Sequence, residues 1–286
     1  MTERLAEIET RLSSIRELHG IVSAMRGLAA MRIQEAERNL GSTRAYTDIV
    51  RNALLRVINL MPETARTPAA RGRETAGIVI FGAEHGLAGD FNARVIAVAG
   101  KPDRDLLFVV GTRAATTCVE RGLRVAWSCA MATHVGAVTT TARRISEELY
   151  RRFSRGDVSG IEIVVAQFGG GTRSTVTRHK VLPVDVPPEA LGRGPPPLVN
   201  LPPMRLIESM LEEYLFAELA HAAMESFASE NAARLATMQA ARRNVEEKLD
   251  ELTTAARAVR QDEITAELLD IVVGAEAAAE RRQQGG

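Results

Sequence analysis

The sequence predicts an α/β chain in which long N- and C-terminal helices form an antiparallel coiled coil, with a parallel-sheet domain inserted between them. Three observations predict it. Apolar residues recur at three- and four-residue spacing over residues 1–60 and again over 204–279. Between these stretches the pattern changes to short apolar runs separated by helical segments, as in a parallel sheet with covering helices. The chain is Ala-rich, and only 4% of it is aromatic. That suits helices in close contact better than a bulky core.

The first helix, 1–60, contains no Pro, and only Gly20, Gly27 and Gly41 interrupt it. Its stripe runs Leu5, Ile8, Leu12, Ile15, then Leu18, Val22, Met25, Ala29 and Ile33. The three-residue step from Ile15 to Leu18 reads as a stutter-like shift of frame. Residues 61–76 form a linker by their Pro, Gly and charge content. The inserted domain, 77–182, has apolar runs at Ile78–Phe81, Leu106–Val110, Leu123–Trp127 and Ile161–Phe168. Helices are predicted near 90–99, 112–121 and 135–155. Residues 183–203 hold eight of the eleven prolines and make a second extended linker.

The second helix, 204–279, carries the clearest pattern. Stepping alternately by three and four from Ile207 to Val259 gives sixteen positions, of which thirteen are apolar. His221, Asn231 and Arg242 are the exceptions. Sustained heptads of this kind predict a coiled coil. Residues 280–286 follow as a tail. Each terminal helix has a narrow stripe that needs a partner; the other terminal helix, antiparallel, is the first candidate, and the surface of the inserted domain or another chain is the alternative.

Composition narrows the function. Lys+Arg and Asp+Glu are both 36, so the net charge is zero, which argues against nucleic acid as a partner. No run of 18 apolar residues suggests a membrane span, and the opening residues lack the apolar core of a signal peptide. Cys118 and Cys129 form neither a CxxC pair nor a disulfide framework, and read as reduced thiols.

A search for chemistry finds no catalytic set. Gly82, Gly86 and Gly89 lie in a loop, 81–92, that follows a strand and opens a helix, where a phosphate loop would sit. The spacing fits neither GxGxxG nor GxxxxGK[ST], and no Lys is near. A turn that packs helix closely on strand is the better reading. Gly169–Arg173 reads as a bulge or turn. The five His are scattered without metal-ligand spacing, so no metal or cofactor is expected. No Ser sits in a nucleophile elbow. Glu147–Glu148 and Glu246–Glu247 are adjacent on helices and face different ways.

The segments Glu225–Asn244 (ESFASENAARLATMQAARRN) and Ala258–Ala277 (AVRQDEITAELLDIVVGAEA) resemble the gamma subunit family of F-type ATP synthases. Ile15–Glu37 is similar to that family's opening helix. Gly86–Asn92 is similar to its Gly-rich strand-end loop, and Phe168–Pro183 to the strand before its second long helix. The resemblance implies an antiparallel coiled coil around a Rossmann-like domain. It implies a central shaft inside a ring of alpha and beta subunits, with the globular end on the membrane c-subunit ring beside the epsilon subunit. Rotation would couple ion translocation, of H⁺ or Na⁺, to ATP synthesis or hydrolysis at the beta subunits. The chain itself would catalyse nothing. It would sit peripherally on the cytoplasmic face of the bacterial cell membrane.

By residue, the resemblance assigns Arg234, Gln261 and Thr265 to a polar catch on a beta-subunit loop, and Met25 to a second acidic beta loop. Departures at Ser23, Gly27, Met31, His85 and Asp90, with the neutral charge balance, point to the alternative F-type ATPase branch. The other readings are a nucleotide-binding α/β enzyme and a static coiled-coil scaffold.

Overall fold

A computed structural model of the chain describes residues 2–60, 75–101, 104–186 and 198–284. Most of the first linker, the Pro-rich centre of the second (187–197) and the last two residues of the tail lie outside the described residues. The elements run α1 (Thr2–Ile58), β1 (Ala76–Phe81), α2 (Phe91–Ala99), β2 (Leu106–Val110), α3 (Thr112–Glu120), β3 (Val125–Cys129), α4 (Val138–Ser154), β4 (Gly160–Phe168), β5 (Ser174–Leu182) and α5 (Pro203–Gln284). A short 3-10 turn, Val135–Ala137, leads into α4.

The 82-residue α5 opens on Pro203, whose missing N–H costs nothing in a first turn. It runs past residue 279 because AEAAAERRQQ is built from strong helix formers.

The chain divides into two compact units. One is Met1–Gly27 with Met238–Gly286, and the other is Leu28–Thr237. In the first unit the two terminal helices pair antiparallel: Glu9 bonds Arg260, and His19 faces Glu246. In the second, α1 and α5 also run antiparallel. Thr43 meets His221, Tyr46 donates to Glu213, and the Thr47 hydroxyl donates to the Ala217 carbonyl.

The inward face of α1 corrects the predicted stripe. Positions 5, 8, 12, 15, 19, 22, 26, 29, 33, 36, 40, 43, 47, 50, 54 and 57 are all buried or half-buried. They keep an unbroken alternation of three and four, so there is no stutter. His19 and Arg26 hold seam positions, while Leu18 is exposed. Counting apolar residues alone skips those two polar seam residues and slips the frame. On α5 all sixteen predicted positions from Ile207 to Val259 are buried or half-buried.

The second unit holds the sheet, ordered β3-β2-β1-β4-β5. β1 pairs parallel with β2 and β4, and β2 with β3. β5 pairs antiparallel with β4, so the sheet is not wholly parallel as predicted. The turn between them is Gly169–Arg173, with Gly170 at φ 84° and Gly171 at φ 63°. The alternating polar residues of β5 (STVTRHKVL) fit a half-exposed edge strand, not a buried parallel one. β1 and β2 are buried on both faces. One face packs α1, α4 and α5 through Leu54, Leu149, Phe227 and Phe81. The other packs α2 and α3 through Phe91, Val95, Ala114 and Cys118.

Candidate functional site

Two places bear on function: the terminal helix pair of the first unit, and the carboxyl ends of β1 and β4 in the second. In the helix pair, Leu12, Val22, Met238, Val245 and Val259 are buried. Arg260 Nη2 donates to Glu9 Oε1 at 2.8 Å. His19 Nε2 lies 3.5 Å from Glu246 Oε1, which also accepts from Arg242 Nε at 2.7 Å. Exposed Ile264, Leu268, Leu269, Ile271, Val272 and Val273 follow toward the C-terminus. Such a pair can bear on a surface and transmit force. Among the described residues no group of three His, Cys, Asp or Glu could hold a metal ion.

The direction in which strands are added reverses between β1 and β4. In open α/β sheets that switch point opens a crevice at the strands' carboxyl ends, where ligands bind. Here α5 fills it. The Ser226 hydroxyl donates to the Phe81 carbonyl at 3.3 Å, and that of Ser229 to the Ala166 carbonyl at 2.8 Å. The Phe168 N–H donates to Glu225 Oε2 at 2.6 Å, and the Glu84 N–H to Glu230 Oε2 at 3.3 Å. Arg234 Nη2 donates to Glu230 Oε1 at 2.5 Å and to the Gly86 carbonyl at 3.4 Å, and Nη1 to Asn231 Oδ1 at 3.1 Å. These bonds satisfy strand-end groups that would otherwise be buried without partners.

The loop 81–92 is a packing turn. A Cβ on Gly82 would lie 2.3 Å from the Ala114 Cβ, so only glycine lets α3 approach. Asn92 Oδ1 accepts the Ala83 N–H at 2.8 Å. The N-terminus of α3, where a phosphate would be welcomed, already holds a carboxylate. Glu84 accepts from the Thr112 N–H at 2.9 Å, the Thr112 hydroxyl at 2.7 Å and the Met131 N–H at 2.7 Å. Burial works to raise this carboxyl, but these bonds, with His85 nearby, outweigh it and hold it below the usual carboxylate range. The filled crevice and the carboxylate both disfavour the nucleotide reading.

A pH dependence follows from Glu84. Its folded value is depressed, so the stability it contributes is complete above the unfolded glutamate range, about pH 4.3. That stability is lost as pH falls through the folded value. Glu84→Gln is expected to cost about 1–3 kcal/mol at pH 7, the range for leaving bonded donors short of an acceptor. Its thermal midpoint is expected to fall less than that of the parent between pH 5 and 3. Parallel acid profiles would contradict this.

The residues assigned by resemblance fall in different settings. Gln261 and Thr265 are exposed in the first unit, with the Thr265 hydroxyl donating to the Gln261 carbonyl. Met25 is half-buried there. Arg234 belongs to the second unit, is 6% exposed, and directs its bonds inward. Two exposed cations flank Gln261 along α5: Arg257, four residues before it, and Arg260, which is paired with Glu9. Sequence reasoning missed Glu225, Ser226, Ser229 and Glu230, which lie off the seam and look solvated. They are buried or half-buried because α5 is enclosed nearly all round from His221 to Arg234.

The sequence model of the ATP synthase family matches residues 4–278. An ATP synthase gamma chain of Anaeromyxobacter sp. (strain Fw109-5) is 28% identical over 96% of this chain and 98% of its own length. Among solved structures, the rotor of the Euglena gracilis mitochondrial ATP synthase in rotational state 1 is similar in fold. Its TM-score is 0.62 at 12% identity, over 92% of this chain and 100% of that one. A chain from the OSCP/F1/c-ring assembly of the same enzyme, in rotational state 3, has a TM-score of 0.63 at 15% identity. It covers 100% of this chain and 98% of that one.

Proposed function

This chain belongs to the ATP synthase family, as a gamma subunit of the central stalk, and we propose that it works there as the coupling shaft. Turning of the shaft links ion translocation through the membrane rotor to ATP synthesis or hydrolysis at the beta subunits. The observation that carries the reading is the family match, whose span, residues 4–278, takes in most of both terminal helices. The chain catalyses nothing itself in this reading. It is a peripheral subunit of a membrane complex, and none of its described helices is long and apolar enough to cross a membrane.

In the finer reading the alpha and beta subunits surround the terminal helix pair, and the globular end meets the epsilon subunit and the c-subunit ring. The complex lies on the cytoplasmic face of the bacterial membrane. Gln261 and Thr265 offer exposed side chains to a beta-subunit loop, with Met25 assigned to a second one. Arg234, the third residue of the assigned catch, directs its own bonds onto Glu230 and the Gly86 carbonyl.

Reconstitution with cognate alpha, beta and membrane subunits tests the function. ATP-driven ion pumping is expected only when this chain is included; equal pumping without it would overturn the reading. The double variant Gln261→Ala/Thr265→Ala removes two exposed polar contacts, each about 0.5–1.5 kcal/mol. Pumping is expected to fall about tenfold, with the thermal midpoint of the isolated chain unchanged. Undiminished pumping would remove these residues from the contact.

A further inference from the structure

The chain has few aromatic residues, yet every exposed aromatic side chain among the described residues falls in one place. Tyr46, Tyr150 and Phe153 are those three. Between α4 and α5 lies an open groove of about 250 Å³, lined by Arg143, Ser146, Glu147, Tyr150, Glu212, Glu213 and Phe216. Tyr46 reaches it from α1 by donating to Glu213. Phe153 lies three residues beyond Tyr150 on α4, and exposed Ile49 lies three beyond Tyr46 on α1.

The charges around these rings are unbalanced. Arg143 stacks over the Phe216 ring, 5.5 Å from its centroid, and so is committed within the groove. Against it stand Glu147, Glu212 and Glu213, all exposed, with Glu208 close enough to act on Tyr150. Tyrosine faces beside carboxylates attract a cation, both by charge and through the ring quadrupole. Tyr, Phe and Arg are enriched at protein interfaces relative to the rest of the surface, and Tyr and Arg among their hot spots. Nothing in the crevice or the helix seam uses this groove.

We propose that this α4–α5 groove docks a partner polypeptide of the same complex that lays an arginine or lysine side chain over the face of the Tyr150 ring, whose hydroxyl already bonds Glu212, and toward the Glu147, Glu212 and Glu213 carboxylates. The inference rests on the rotor reading, since the partner is another subunit. The guanidinium or ammonium group meets the carboxylates, and its aliphatic stem lies along Tyr150 and Phe216. The surrounding exposed apolar residues, Ile49 and Phe153, seal the rim.

The test is photo-crosslinking in the purified complex. Ser146 is replaced by p-benzoylphenylalanine, the complex is irradiated, and the adduct is sequenced by mass spectrometry. The expected result is one adduct with another subunit, on a peptide carrying Arg or Lys within a few residues of the attachment point. The charge reversal Glu147→Lys/Glu212→Lys is expected to cut the adduct yield at least tenfold while the complex still assembles. An intact complex that gives no adduct, an adduct on a peptide without a basic residue, or full yield from the charge-reversed variant would each overturn the proposal and leave the rotor reading standing. A chain that does not co-purify with alpha and beta subunits would overturn both.

Discussion

Gly111→Ala is expected to destabilise the second unit by roughly 4 kcal/mol. Gly111 has φ 114°, and a Cβ there would lie 2.7 Å from both the Ala83 and Gly82 carbonyl oxygens. The backbone conformation alone costs about 1–3 kcal/mol for a residue with a Cβ. Overlap with two backbone atoms adds about 1–3 kcal/mol more, because neither carbonyl can move freely. The Gly82 N–H is bonded to the Val110 carbonyl, and the Ala83 carbonyl accepts from the Ala114 N–H. For a unit of this size the thermal midpoint is expected to fall by about 8–15 °C. Gly86→Ala, where a Cβ meets nothing within 4 Å, is the control, and its midpoint is expected to stay within about 2 °C of the parent. Equal midpoints for the two variants would contradict the packing described for this turn.

Arg234→Ala is the second large effect. It strands the Glu230 carboxylate, whose side chain is only 4% exposed, and frees the Gly86 carbonyl and Asn231. Breaking a buried ion pair from one side costs about 3–5 kcal/mol. Replacing both members with neutral groups of similar shape, Glu230→Gln/Arg234→Met, is expected to cost less than Arg234→Ala alone. This separates the buried pair from an exposed contact residue. A residue that only touched the beta subunit would leave the isolated chain's midpoint unchanged and lower pumping alone. An unchanged midpoint in Arg234→Ala would therefore return Arg234 to the outer surface.

How much was legible in the sequence varies with the kind of signal. The α5 seam was legible to the residue, because thirteen apolar positions kept step over many turns and the three polar ones did not break it. The α1 seam was legible in outline only. His19 and Arg26 sit at inward positions, and an apolar count replaces them with Leu18 and Met25. Four strands were visible as apolar runs. β5 was not visible from its own residues, because an edge strand alternates polar and apolar and looks like a loop of mixed composition.

The candidate site was hardest to read. The spacing of the Gly-rich loop reads as a packing turn, and in the structure Gly82 lies against Ala114. Its partners, Ser226, Ser229 and Glu230, are short or charged residues on a helix. Only the enclosure of α5 turns them from solvated side chains into bonds with strand ends. Arg234 illustrates the same point, since no sequence period distinguishes a charge facing solvent from one facing a buried carboxylate.

The central claim is that this chain turns as a shaft. A reporter can be placed on Val119→Cys, since Val119 is 65% exposed on α3. The native thiols Cys118 and Cys129 are buried, and burial pushes both up to about 11, so a bead attaches at the introduced site. With the cognate alpha and beta subunits fixed to a surface and ATP supplied, the bead is expected to make full turns in one direction and to stop when ATP is withdrawn. A bead that only fluctuates while the same assemblies hydrolyse ATP at their full rate would contradict the account.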